Sequence, residues 1–492
     1  MTKRPHIVIF NPDQWRGDAV GYADNPAAIT PNLDHIIEED AVAFRYAFCQ
    51  NPVCTPSRCS FMTGWYPHVR GHRTMFHMLQ PDEPNLLKTL KDNGYFVWWG
   101  GKNDLVPGQY GYEAHCDIKY QAPDDPQRPV MPNAHVDQTW RSAPGSADYY
   151  SFFQGKIDIP ENETYAYDND WAMVEGAVDM IHNAPADQPL CIYLPLSYPH
   201  PPYGVEEPWF SMIDRDKLPP RIPTPTNWDG KSSMLHGIYE GQGLQTWTED
   251  HWTDLRAVYY GMCARVDYQF GMIVDALKDA GIYDDTAIFF FGDHGDYTGD
   301  YGVVEKAQNS FEDCLTRVPF VIKPPKGTPI EAGPRDALVE LIDFSATAYA
   351  LTGIEPGYSY FGTSLLPLIA GTTDQHRDAV FCEGGRLHSE SQAMESESQQ
   401  EEGALYWPRI RLQHSSGPEH TKATMCRTAD YKYVRRLYEK DELYDLKADP
   451  QELDNRIDDP TLASIKQTMI DRMLTFYQET SDVVPHKADR RH

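Results

Sequence analysis

Nowhere does the 492-residue sequence hold the roughly eighteen consecutive apolar residues that a membrane-spanning helix needs, which excludes an integral helical membrane protein. The nearest approach to a leader core, His6-Ile7-Val8-Ile9-Phe10, is too short and lacks a small-residue cleavage site. It reads as a buried first strand, and the protein as cytoplasmic. Positive charge is scarce as well. Lys and Arg number 43 against 73 Asp and Glu, a formal net charge of −30. Such a surface repels nucleic acid and anionic membranes, so neither is an expected partner. The nine cysteines are an odd count without framework spacing, which excludes a disulfide scaffold and fits a reducing compartment. Internal repeats are absent too.

Hydrophobic residues at 41% and charged residues at 24% describe an ordinary soluble globular chain. Short β-rich runs at 6–10, 95–99, 190–197, 286–292 and 318–323 alternate with helical patterns at 31–39, 84–93, 166–184, 251–280 and 337–352. This alternation predicts an α/β fold, a mostly parallel central sheet flanked by helices, with functional groups at the carboxyl ends of its strands. From about 375 a smaller α+β unit follows, with a strand at 430–435 and a helix at 461–478. The expected division is a catalytic domain over 1–374 and a C-terminal subdomain over 375–492. The Pro-, Asp- and Asn-rich stretches 118–165 and 198–250 read as excursions able to wall a pocket. The acidic stretch 387–403 reads as a solvated loop. The tail from Ser481 to His492 could pack on a neighbouring subunit of a homo-oligomer.

Cys54-Thr55-Pro56-Ser57-Arg58 carries the strongest chemical signal. Pro56 suits a first helical turn, which puts Cys54 at a helix N-terminus where backbone NH groups stabilise an anion, with Arg58 one turn on. A buried cysteine before a helix is the bland alternative. A phosphatase-type thiolate loop would want a longer Gly-containing cradle between Cys and Arg, and Cys54 with Cys59 has the wrong spacing for zinc. Phe289-Phe290-Phe291-Gly292-Asp293-His294 delivers an Asp-His pair at the end of an apolar strand, able to bind metal or to cap a helix. Asp296, Asp300 and Glu305 follow without an assigned role. His68, His72 and His77 read as ordinary polar contacts ahead of a substrate-lining role.

Cys54-Thr55-Pro56-Ser57-Arg58 followed by Thr63-Gly64 resembles the sulfatase signature Cys-x-Pro-Ser-Arg-x4-Thr-Gly. In that family a separate formylglycine-generating or sulfatase-maturing enzyme oxidises the cysteine to formylglycine. The resemblance implies an alkaline-phosphatase-like fold and hydrolysis of a small-molecule or saccharide sulfate ester. It also implies a metal set of Asp13, the modified Cys54, Asp293 and His294. Ca2+ comes first for oxygen-rich ligands, and the imidazole makes Mn2+ its competitor. Lys102 and Lys306 match the family's sulfate-contacting lysines, and His200 the histidine near the leaving-group oxygen. Asp104 stands where a histidine is usual, so the base that regenerates the aldehyde is Asp104 or His200. Pro12 replaces the first of two metal-binding Asp residues, a pattern similar to phosphonate monoester hydrolases. Phosphonate monoester or phosphodiester hydrolysis at the same site is therefore the rival activity, and a catalytically silent binding relative the rival class. The Arg427–Tyr433 and Glu442–Pro450 stretches resemble the sulfatase C-terminal subdomain.

Overall fold

The computed structural model describes residues 4–395, 401–488 and 490–491. Its main sheet runs, edge to edge, Gly333–Glu340, Val42–Phe48, Phe320–Lys323, Thr286–Phe291, His6–Asn11, Leu190–Pro195, Phe96–Gly100 and Ile118–Tyr120. Phe320–Lys323 is antiparallel to both neighbours and the remaining ladders of this order are parallel. The expected mostly parallel α/β sheet is thus present.

Side-chain alternation sends each central strand into two cores. Val8, Phe10, Ile192, Leu194, Ile288 and Phe290 face one, and Ile7, Ile9, Cys191, Tyr193, Phe289 and Phe291 face the other. Helices Pro31–Glu39, Asn169–His182 and Glu249–Asp279 cover the first, while Cys54–Thr63, Leu86–Asp92 and Ile342–Thr352 cover the second. The near-continuous apolar strands are what a sheet buried on both faces requires.

One predicted helix is corrected. The 337–352 pattern becomes helix only from Ile342, because Leu338, Val339 and Glu340 pair in parallel with Tyr46, Ala47 and Phe48. The expected strand at 318–323 divides around Pro319. Val318 pairs with Ala47, and Phe320 with Phe291.

Val380–Gly384, Ala423–Arg427, Tyr431–Arg436 and Glu442–Asp445 form a separate antiparallel sheet. Val380, Cys382, Ala423, Met425 and Val434 join the second core of the main sheet, while Phe381, Cys426 and Tyr433 pack with Met469, Met473 and Phe476 of helix Ala463–Thr480. Where it is described, the 387–403 stretch is mostly exposed or half-buried, as a solvated loop is, with Ala393 and Glu395 buried. Glu395 accepts hydrogen bonds from Gln308 and Gln413, while residues 396–400 lie outside the described residues. In the tail, Val484 and His486 meet Ser359 of the same chain, and residues 489 and 492 lie outside the described residues. No helix among the described residues is long and apolar enough to cross a membrane.

Candidate active site

Five strands deliver chemistry at their carboxyl ends. Asp13 follows His6–Asn11, Cys54 follows Val42–Phe48, Lys102 follows Phe96–Gly100, His200 follows Leu190–Pro195, and Asp293 and His294 follow Thr286–Phe291. Open α/β sheets place ligands at this edge. Cys54 is the first residue of its helix, as its spacing from Pro56 predicts, and Ser57 N donates to Val53 O to start the ladder. The helix stops at Gly64 in a left-handed conformation (φ 73°), where a Cβ would sit 2.9 Å from Tyr360 Cβ. Gly101 has a φ of 94°, and a Cβ there would collide with Pro195 O at 2.2 Å. That close approach lets Lys102 N donate to Pro195 O and turns its side chain into the site.

Asp13, Cys54, Asp293 and His294 are buried, with one ligand atom each converging within 4.8 Å of the others. The Cys54 Sγ stands 3.4 Å from Asp13 Oδ1 and 3.2 Å from His294 Nε2. The two carboxylates divide their oxygens. Asp13 Oδ2 accepts from Arg58 Nη2 at 3.1 Å and Lys102 Nζ at 2.5 Å, and Asp293 Oδ2 accepts from Arg58 Nε at 3.0 Å. Their Oδ1 atoms face His294 Nε2, at 3.5 Å from Asp13 and 3.7 Å from Asp293. Burial opposes ionisation of Asp13, yet Lys102 and Arg58 hold its carboxyl well below the usual range. Burial lowers His294 against the pull of Asp293, which favours the neutral, ligating imidazole. Two carboxylates and an imidazole with no exposure fit a divalent cation.

Burial, and next the Asp13 carboxylate, push the Cys54 thiol far above the ordinary cysteine range, although Lys102 and Lys306 pull the other way. An unmodified thiol here stays protonated and is a poor nucleophile.

Lys102 Nζ lies 3.8 Å from Cys54 Sγ and 3.0 Å from Asp104 Oδ2. Asp104 also lies 3.9 Å from Arg58 Nε, so it meets the site through the two cations. Lys306 Nζ contacts Gln14 Oε1 at 2.8 Å, His200 Nε2 at 2.7 Å and Glu305 Oε1 at 2.8 Å. All six residues expected to be catalytic therefore gather around one point. His68, His72 and His77 do not join them; they engage Glu383, Glu83 and Thr74, as ordinary polar contacts would. Asp300 pairs with Arg16, at 2.8 Å.

Sequence reasoning missed Gln14, His135, Tyr406 and Arg409. Gln14 adopts a left-handed φ of 68°, uncommon for a side chain of its size. Its Nε2 donates to Asp296 Oδ2, and its backbone N to Asp293 Oδ1. Its position beside Asp13 was the available signal. His135 packs edge-on against His200 at 5.2 Å, and Tyr406 and Arg409 reach the site from the C-terminal region, where no local pattern marks them.

The family model described as Sulfatase matches residues 5–354. The chain is 24% identical to arylsulfatase K of Xenopus laevis over 387 residues, covering 76% of this chain and 68% of that one. It is 26% identical to the multifunctional alkaline phosphatase superfamily protein PehA of Trinickia caryophylli, covering 97% of this chain and 96% of the relative. Among solved structures it resembles the phosphonate monoester hydrolase of Agrobacterium radiobacter, with a TM-score of 0.73 at 22% identity over 97% of this chain and 96% of that one. With its signature residues gathered at one strand edge and its family model spanning most of the length, the chain belongs to the sulfatase family and is a hydrolase of sulfuric esters.

Proposed function

We propose that the protein cleaves a sulfate ester with a formylglycine made from Cys54 by a separate maturation enzyme, beside one divalent cation held by Asp13, Asp293, His294 and the modified residue. The observation that carries this reading is the position of the Cys54 Sγ, within 3.4 Å of Asp13 and 3.2 Å of His294 in a site where a thiol is protonated. The Sγ stands where the oxygens of the hydrated aldehyde would be. When present, that hydrate supplies the attacking oxygen, and the cation, Ca2+ ahead of Mn2+, lowers its pKa and draws charge from the sulfuryl group.

The chain's own residues do the rest. Arg58 bridges Asp13 and Asp293 and fixes the spacing of the two carboxylates. Lys102 directs its ammonium at the Cys54 position, where it stabilises negative charge on the sulfuryl oxygens, and Asp104 holds that ammonium in place. Lys306 carries the proton for the departing alcohol. Burial works against its charge, but the neighbouring Glu305 carboxylate keeps its pKa raised. His200 accepts from Lys306 at Nε2, while its Nδ1 lies 2.6 Å from Pro201 O, a tautomer with no proton on Nε2 to give.

The test is mass spectrometry of the Cys54 peptide from protein made in a host with maturation activity, alongside turnover of 4-nitrophenyl sulfate. Aldehyde at Cys54 in active protein is expected, and a thiol in fully active protein would overturn the scheme. A second reading, phosphonate monoester or phosphodiester hydrolysis, is favoured by the single strand-end carboxylate Asp13 with His294 opposite. Higher kcat/KM on aryl phosphonate than on aryl sulfate would select it.

A further inference from the structure

A closed ring of side chains stands on the leaving-group side of the site. Starting from Lys306, His200 Nε2 is 2.7 Å away, and the His200 ring meets His135 edge-on at 5.2 Å. His135 stacks on Tyr406 at 6.0 Å and 21°, and the Arg409 guanidinium lies 4.8 Å from the Tyr406 ring centre. Arg409 Nη1 is 3.7 Å from Glu305 Oε2, and Glu305 Oε1 returns to Lys306 at 2.8 Å. Four separate segments build this ring.

Arg409 is its anomalous member. It is 8% exposed, and its Nε and Nη1 are buried with no hydrogen bond. Glu305 and Glu395 compensate its charge from 3.7 Å and 3.9 Å, beyond hydrogen-bond reach. Glu395 is committed elsewhere, to Met75 N, Gln308 and Gln413. A buried guanidinium with unmade bonds costs free energy unless a ligand or water completes them. Nε and Nη1 lie on different edges of the guanidinium, so each can give one charge-assisted bond to an oxyanion oxygen. His135 and Tyr406, both half-buried, stand between His200 and Arg409, where the body of an alcohol whose oxygen departs near Lys306 would lie.

We propose that this ring is the leaving-group subsite, and that Arg409 binds an anionic substituent, a carboxylate or a second sulfate, on the alcohol of the ester. The inference rests on the site being a sulfuric-ester hydrolase, and extends it to an acidic substrate. It also places a buried cation where a strongly acidic protein must hold an acidic substrate against its own field.

The experiment compares kcat/KM of the matured enzyme, Arg409→Met and Arg409→Lys on three esters: a monosulfated uronic acid, a disulfated hexosamine and a neutral hexose monosulfate. The wild-type enzyme should prefer one of the two acidic esters, and which one separates carboxylate from sulfate. Arg409→Met should lose at least about 30-fold on that ester and less than a third of that factor on the neutral one. Arg409→Lys, which keeps the charge and the packing stem, should fall between. Equal losses on acidic and neutral esters, in variants with unchanged melting temperature, would overturn the proposal, as would wild-type preference for the neutral ester. If wild type hydrolyses aryl phosphonate and no sulfate, the sulfatase reading fails separately. The same variants are then compared on carboxylated and neutral phosphonate monoesters, where the same differential is expected and its absence overturns the subsite.

Discussion

Lys306 Nζ stands 2.7 Å from His200 Nε2, and the His200 Nδ1 lies 2.6 Å from Pro201 O. Burial, and then Lys306, hold the His200 imidazole well below the ordinary histidine range, so it stays neutral and accepts the lysine's proton bond. The pair therefore has a direction, with Lys306 as the donor.

This direction predicts a leaving-group dependence. Lys306→Met should lower kcat on an alkyl sulfate by about 100- to 10,000-fold. Much less should be lost on 4-nitrophenyl sulfate, whose phenolate leaves without a proton. Rates over a series of leaving groups check it, and equal losses throughout would assign Lys306 to sulfate binding instead.

Cys54 and Cys59 should separate cleanly. Both are buried in the same helix, but Cys59 belongs to the apolar core under the sheet. Cys54→Ala should abolish turnover without unfolding the protein. Cys59→Ala should cost about 1 kcal/mol of stability and leave much of the activity. Steady-state rates and thermal melts of the two variants decide.

For the cation proposed at this site, the lowered pKa of His294 predicts how retention depends on pH. A depressed value keeps the imidazole neutral to lower pH, so bound metal should persist as pH falls through about 6.5, the ordinary histidine value, and leave only below it. Metal content against pH, by mass spectrometry after desalting, tests this. Loss of metal at the ordinary value would contradict it. Chelation should inactivate the enzyme, and the cation that restores rate identifies the native one.

Away from the site, Asp343 anchors the start of helix Ile342–Thr352 to Arg377 and His376. Burial favours protonation, but Arg377 overrides it and holds the carboxyl far below the ordinary range. A carboxyl depressed in the folded state adds stability above its unfolded pKa of about 3.9, and loses it as pH falls below that value. Melting temperature should drop on acidification through pH 4, less steeply in Asp343→Asn. Arg377→Met leaves the carboxylate buried without its main partner and should cost about 3–5 kcal/mol at neutral pH. Urea unfolding at pH 7 measures it.

Much of the site was legible because its residues follow local rules. Cys54 before Pro56, and Asp293 and His294 at the end of Phe289-Phe290-Phe291, are marked by helix-start and strand-end chemistry within a few positions. The long strands of the sheet centre declared themselves by apolar runs. Val42–Phe48 did not, because Arg45 and Tyr46 interrupt it, and Gly333–Glu340 was hidden by Pro334, Arg335 and Asp336. Those two strands are selected by pairing with each other, nearly three hundred residues apart in the chain.

The sequence by itself determined the family signature around Cys54, the residue types that gather at the candidate site and the layered α/β class, since each is written in residue kind and short-range spacing. Only the tertiary structure decided which oxygen of each carboxylate faces His294, which member of the Lys306–His200 pair donates, and that Arg409 and His135 share one ring. These are relations between segments without a common period. They come into being when burial brings separate strand ends and loops to one sheet edge and the remaining polar groups must find partners there.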